Sequence, residues 1–141
     1  MTSSKNMEVF MAEDKNLVIV DNREIQSMIY TFRGRQVMID RDLAYLYNVE
    51  TKVLNQAVKR NLNRFPEHFR FQLTEEEYEN LRSQFVTSSE DNIHGGRRYM
   101  PYVFTEQGIA MLSAVLKSDV AVEVSVKIMN SFVEMRNFWL F

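Results

Sequence analysis

Apolar and polar residues alternate along this chain in two rhythms, and the changes of rhythm mark its elements. Ile29-Tyr30-Thr31-Phe32 and Gln36-Val37-Met38-Ile39 are β-prone runs separated by Arg33-Gly34-Arg35. Gly34 supplies the positive φ that a tight turn requires, so a hairpin is predicted. Asp40 stands where an N-cap is wanted, ahead of the helix-periodic DLAYLYNV. A second helical stretch runs from Thr51 to about Arg64, where Pro66 stops it. Phe69 to Leu73 alternates like a half-buried strand. Thr74 to Glu77 reads as a capping box that opens a helix, with three carboxylates at the positive end of its dipole. Capping is preferred to a catalytic reading of the same cluster.

Phe85 to Ser89 is strand or loop, and Glu90 to Gly96 is a polar loop. Arg97 to Phe104 reads as a strand that Pro101 pushes to a sheet edge. Thr105 caps a helix to about Leu116. Asp119 opens a long amphipathic helix in which Val120, Val124, Ile128, Phe132, Met135 and Trp139 recur three or four residues apart. Near the start, Leu17 to Val20 reads as a short strand and Asn22 to Met28 as a helical turn. The polar, aperiodic opening reads as a flexible leader. The expected class is α+β: a packed helix pair, small antiparallel hairpins or sheet, and a C-terminal amphipathic helix. The organisation expected is a leader over 1–24, a domain over 25–116 and the C-terminal helix over 117–141.

A length of 141 residues argues for one domain. An apolar fraction of 45% and a charged fraction of 26% are those of an ordinary globular protein. The absence of cysteine excludes disulfides, thiolate metal sites and cysteine nucleophiles. His68 and His94 have no partner at metal-ligand or catalytic spacing, so no cofactor, no metal and no enzymatic activity are expected. No apolar run approaches the roughly 20 residues of a membrane helix, and the first residues lack the order of a signal peptide. No membrane partner and a cytoplasmic location follow as expectations. The nine methionines and the aromatic residues read as core filling. The net charge of −2 hides a gradient, because residues 29–70 hold 8 Lys/Arg against 4 Asp/Glu while residues 71–141 hold 6 against 10.

The informative stretch is LAYLYNVETKVLNQAVKRNLNRF, Leu43 to Phe65. A helix-turn-helix needs a small residue where its helices cross, then a turn residue that tolerates a left-handed backbone, then an apolar plug. Ala44, Asn48 and Val49 fill these roles. At 100° per residue, Leu54, Ala57, Val58, Asn61, Leu62 and Phe65 share an inward sector. Lys52, Asn55, Gln56, Lys59 and Asn63 lie opposite, with Arg60 on the flank, and this face carries no carboxylate. Long cations neutralise phosphates, while Asn and Gln donate and accept together against an adenine edge in the major groove. The competing reading is a solvated helix face, although such faces usually mix signs to form ion pairs. Arg64, the hairpin pair Arg33 and Arg35, and Arg97 and Arg98 beside Gly95-Gly96 are further candidate phosphate contacts. Polar residues also populate turns for local reasons, so both readings of these pairs stand.

The same residues carry a family resemblance. Ile29-Tyr30 with the Arg33-Gly34 turn, LAYLYNVETKVLNQAVKRN, RFPEHFRFQLT, LRSQFVTS and GGRRYMPYVFTEQGIAMLS occur in order across nearly all of residues 29–116. In these the sequence resembles the phage-encoded Orf-six N-terminal domain family, related to the KilA-N and Bro-N DNA-binding domains. The resemblance implies a small α+β double-stranded-DNA-binding domain of phage or prophage regulatory, antirepressor-like proteins in the bacterial nucleoid, with its recognition surface in Lys52 to Asn61. The apolar end Phe138, Trp139 and Phe141 suggests a homodimer or continuation into a coiled coil of a longer protein. The alternative reading is a protein-interaction module that binds a phage or host repressor directly.

Overall fold

The computed structural model describes residues 21–84 and 99–139, with side chains as far as Asn137. The expected strand at Leu17 to Val20, the segment from Phe85 to Gly96, His94, Arg97, Arg98 and the side chains of Phe138, Trp139 and Phe141 lie outside the described residues.

The described chain forms six helices and a four-stranded antiparallel sheet, an α+β fold. Helix α1 (Asn22–Gln26) starts where the Asp21 carboxylate accepts from the Glu24 amide at 2.9 Å. Asn22 and Gln26 donate to Glu134 of the last helix, which ties α1 to it. Strands β1 (Ile29–Phe32) and β2 (Arg35–Ile39) form the hairpin. Phe32 pairs with Arg35, which leaves a loop of two residues, Arg33 and Gly34, both at positive φ (56° and 75°). That backbone follows the strand twist, and Arg35 begins β2 instead of completing the turn.

Helix α2 (Asp40–Tyr47) ends at Asn48, whose φ of 60° is left-handed as expected. The Asn48 amide donates to the Tyr45 carbonyl and the Val49 amide to that of Ala44, at 3.2 and 3.0 Å, the bonds of a Schellman stop. The chain then enters helix α3 (Thr51–Lys59). This helix ends five residues sooner than the periodicity suggests, and Pro66 is not the cause. Asn61 gives its side-chain amide to the Ala57 carbonyl at 2.8 Å, while its backbone N–H turns to Val58 at 2.8 Å. The helical bond is thereby replaced by a tighter one, and a short 3₁₀ turn follows (Leu62–Arg64). Phe65 then drops into the core with its ring edge-on to Phe104.

Strand β3 (Arg70–Gln72), helix α4 (Glu75–Arg82), strand β4 (Tyr102–Thr105), helix α5 (Glu106–Leu116) and helix α6 (Asp119–Trp139) complete the fold. The sheet order is β1-β2-β4-β3. Strand β4 is therefore interior and not at the edge that Pro101 suggested. The proline sits just ahead of the strand, where its carbonyl accepts from the Leu73 amide at 3.0 Å, so it removes no ladder donor. The Thr74–Glu77 capping box is complete in both directions, and Thr105 caps α5 by accepting from the Gly108 amide. Gly108 is required by proximity: a Cβ there would lie 2.1 Å from the Phe69 carbonyl oxygen.

The sheet has two buried faces. Val37, Ile39, Phe71 and Val103 pack on one side with Leu73, Tyr78 and Leu81, under α4. Met38 and Phe104 face the larger core on the other side, with Ala44, Leu54, Val58, Ile109, Ile128 and Phe132. The second layer thus consists of α2, α3, α5 and α6. Helix α6 is part of this core, since Ala121, Val124, Ile128 and Phe132 are all buried. Tyr47 of α2 also meets Ser125 of α6 in a buried hydroxyl pair at 2.5 Å, and burial pushes the phenol up to about 12.

Candidate nucleic-acid interface

The α2–α3 unit is held by apolar side chains on one face and leaves the other to solvent. Leu54 and Val58 are fully buried, and Ala44, 2% exposed, sits in the same core. On the far side Lys52, Gln56, Lys59 and Arg60 are exposed together, and Asn63 and Arg64 are exposed on the turn that follows. Between Thr51 and Phe65 the chain has no carboxylate to neutralise this surface. Arg64 leans over α5, with its guanidinium 4.0 Å from the Met111 sulfur.

Asn55 departs from this group. It is half-buried, and its side-chain amide donates to Asp40 Oδ2 at 2.9 Å. The Tyr102 amide donates to the same oxygen at 3.3 Å. Asp40, expected as an N-cap, is instead the first residue of α2, makes no capping bond and is 4% exposed. Its carboxylate clasps α3 to α2 and β4. One N–H of the Asn55 amide is thus engaged inside the protein, and its side chain is turned toward Asp40 and away from the fully exposed face. On the helical projection Asn55 lies at the border next to Val58, and a buried acceptor decides which way such a residue turns.

Leu62 also departs from expectation. The projection turns it inward as though the helix continued, yet it is 52% exposed, because the helix stops at Lys59. Val53, which the projection leaves unassigned, is 44% exposed beside Gln56 and Arg60. Two apolar side chains therefore join the cationic surface. Tyr45 of α2, 48% exposed, is a third large side chain on the same helix pair.

The hairpin arginines do not join this surface in the same way. Arg33 pairs with Glu77 through both carboxylate oxygens (2.9 and 3.0 Å), donates to the Gln72 carbonyl at 3.1 Å and lies 4.2 Å above the Phe71 ring. Phe71 belongs to the cluster under α4, on the opposite face of the sheet from α3. Arg33 is thus committed to an ion pair on the side of the sheet away from α3. Its guanidinium holds the Glu77 carboxyl below the usual carboxylate range. Arg35 is exposed and lines a cleft with His68, Gln107 and Arg136. Arg70, a cation to which the sequence pattern gives no role, is half-buried, with its guanidinium 3.9 Å from the Tyr102 ring, and burial lowers its pKa.

A family model described as the ORF6N domain matches residues 27–115. The chain belongs to the ORF6N domain family. Comparison with curated proteins and with solved structures returns no significant match. The ORF6N span runs from β1 into the last turn of α5, and so contains the whole α2–α3 unit and its exposed face. It stops short of α6, although α6 completes the core of this ORF6N domain. No helix of the described residues is long and apolar enough to cross a membrane.

Proposed function

We propose that this ORF6N domain binds double-stranded DNA, as part of a phage or prophage regulatory protein in the bacterial cytoplasm, by laying α3 in the major groove. It acts by binding, with no chemical step of its own. The observation that carries the reading is the exposed face of Lys52, Gln56, Lys59 and Arg60 on a short helix that follows a Schellman bend. A helix whose inner face is fixed by Leu54 and Val58 offers the rigid, cationic surface that a polyanionic groove favours. In this arrangement Lys52, Lys59 and Arg60 face phosphates, and Gln56 meets an adenine edge with its donor and acceptor. Asn63 and Arg64, exposed on the turn that follows, suit backbone contacts. A two-fold pair of domains would double the site and fix half-site spacing.

The test is duplex binding measured against salt. For the double variant Lys52→Ala, Lys59→Ala, the slope of log affinity against log salt becomes shallower by about two, one unit for each phosphate that is no longer neutralised. Unchanged affinity and slope would remove α3 from the interface. A second reading, in which the domain grips a phage or host repressor protein, draws on the outer side of α6, where Val122, Val126 and Val133 are exposed. Affinity for such a protein, insensitive to Lys52 and Lys59, would select it.

A further inference from the structure

Val53 is the third residue of α3, and it is exposed on a helix whose other outward side chains are cationic or amide. Val53, Gln56 and Arg60 follow one another at spacings of three and four, so they form a single line along the helix. Their order along that line has consequences. In a groove-bound recognition helix the N-terminal residues reach the base edges. Those residues here are Lys52, Val53 and Gln56, because Asn55 is held inward by Asp40. One is a flexible cation, one an amide and one a branched apolar group.

The major-groove edge of DNA offers an apolar patch at one place, the 5-methyl group of thymine, and an adenine presents the donor and acceptor that match a glutamine amide. Resting on the DNA-binding reading above, we infer that Val53 is a specificity-determining residue that packs on a thymine methyl next to the adenine met by Gln56, so that α3 selects an A·T-containing step. The cationic, carboxylate-free surroundings match the charge of duplex DNA, with Lys52 and Lys59 placed together beside this line to hold its backbone. Burying a valine methyl face against a base methyl removes apolar surface from water that phosphate contacts leave wet.

The experiment uses the full chain and a duplex selected from a random pool, with each thymine replaced in turn by uracil. Uracil keeps every hydrogen bond of thymine and lacks only the methyl group. At one thymine the replacement weakens wild-type binding about fourfold, the scale of one buried methyl-sized group. Val53→Ala, a substitution that favours the helix and leaves the core alone, binds the thymine duplex as weakly as wild type binds the uracil duplex. It then shows no further loss with uracil. A Val53→Ala chain that keeps the uracil penalty overturns the inference, as does a selected site without thymine or one indifferent to uracil at every position. In those cases DNA binding itself still stands. Absence of any salt-dependent duplex binding overturns the DNA reading first, and this inference with it.

Discussion

Single residues in this domain often serve two elements at once. Glu77 closes the capping box of α4 by accepting from the Thr74 amide at 2.8 Å, and it also accepts the Arg33 guanidinium from the hairpin tip. The capping half of this arrangement is written in the local sequence, since a Thr and a Glu three residues apart need only each other. The pairing half spans 44 residues and depends on the hairpin folding toward α4. Because the guanidinium, with help from the cap, keeps the Glu77 carboxyl below its usual range, the stabilisation is complete above the unfolded value, about 4.3. It is lost as pH falls through the depressed folded value. Glu77→Gln is therefore expected to lower the urea midpoint at pH 7, and the gap to wild type should narrow at a pH below the unfolded value. A constant gap at both pH values would show that the carboxylate charge is not involved.

Among the elements, α3 shows how far periodicity reaches. Leu54 and Val58 are legible as its inner face because they recur at helical spacing, and both are fully buried. Its end is not legible in the same way, since Asn61 stops the helix through a side-chain bond to Ala57 that competes with the helical one. The orientation of Asn55 is decided still further away, by the buried Asp40 carboxylate fifteen residues earlier. Removing that carboxylate with Asp40→Ala leaves the Asn55 amide and the Tyr102 N–H unmet, which costs about 1–3 kcal/mol. Asp40→Asn keeps an acceptor oxygen and retains most of that stability. In a double-mutant cycle read by urea unfolding, Asn55→Ala is expected to cost little once Asp40 is Ala. Strictly additive costs would mean the two side chains act separately.

For the whole molecule, the family match ends at residue 115 but the fold does not. Val124, Ile128 and Phe132 of α6 each contribute about 1.5–3 kcal/mol by burial. Together they rival the total stability of an ordinary domain, about 5–15 kcal/mol. A chain truncated after Lys117 is therefore expected to lose cooperative thermal unfolding followed by circular dichroism; a sharp transition in that fragment would make α6 dispensable. Features whose physics is local are legible in the order of the residues: the positive-φ turns at Gly34 and Asn48, the caps at Thr74 and Thr105, Leu54 and Val58 as the inner side of α3, Val124, Ile128 and Phe132 as that of α6, and a cationic stretch free of carboxylate. Long-range packing sets which cations share a surface, pairs Arg33 with Glu77, turns Asn55 toward Asp40, leaves Val53 and Leu62 facing outward and places β4 in the interior of the sheet. Those outcomes depend on buried partners supplied from distant positions in the chain, and the spacing of neighbouring residues carries no record of them.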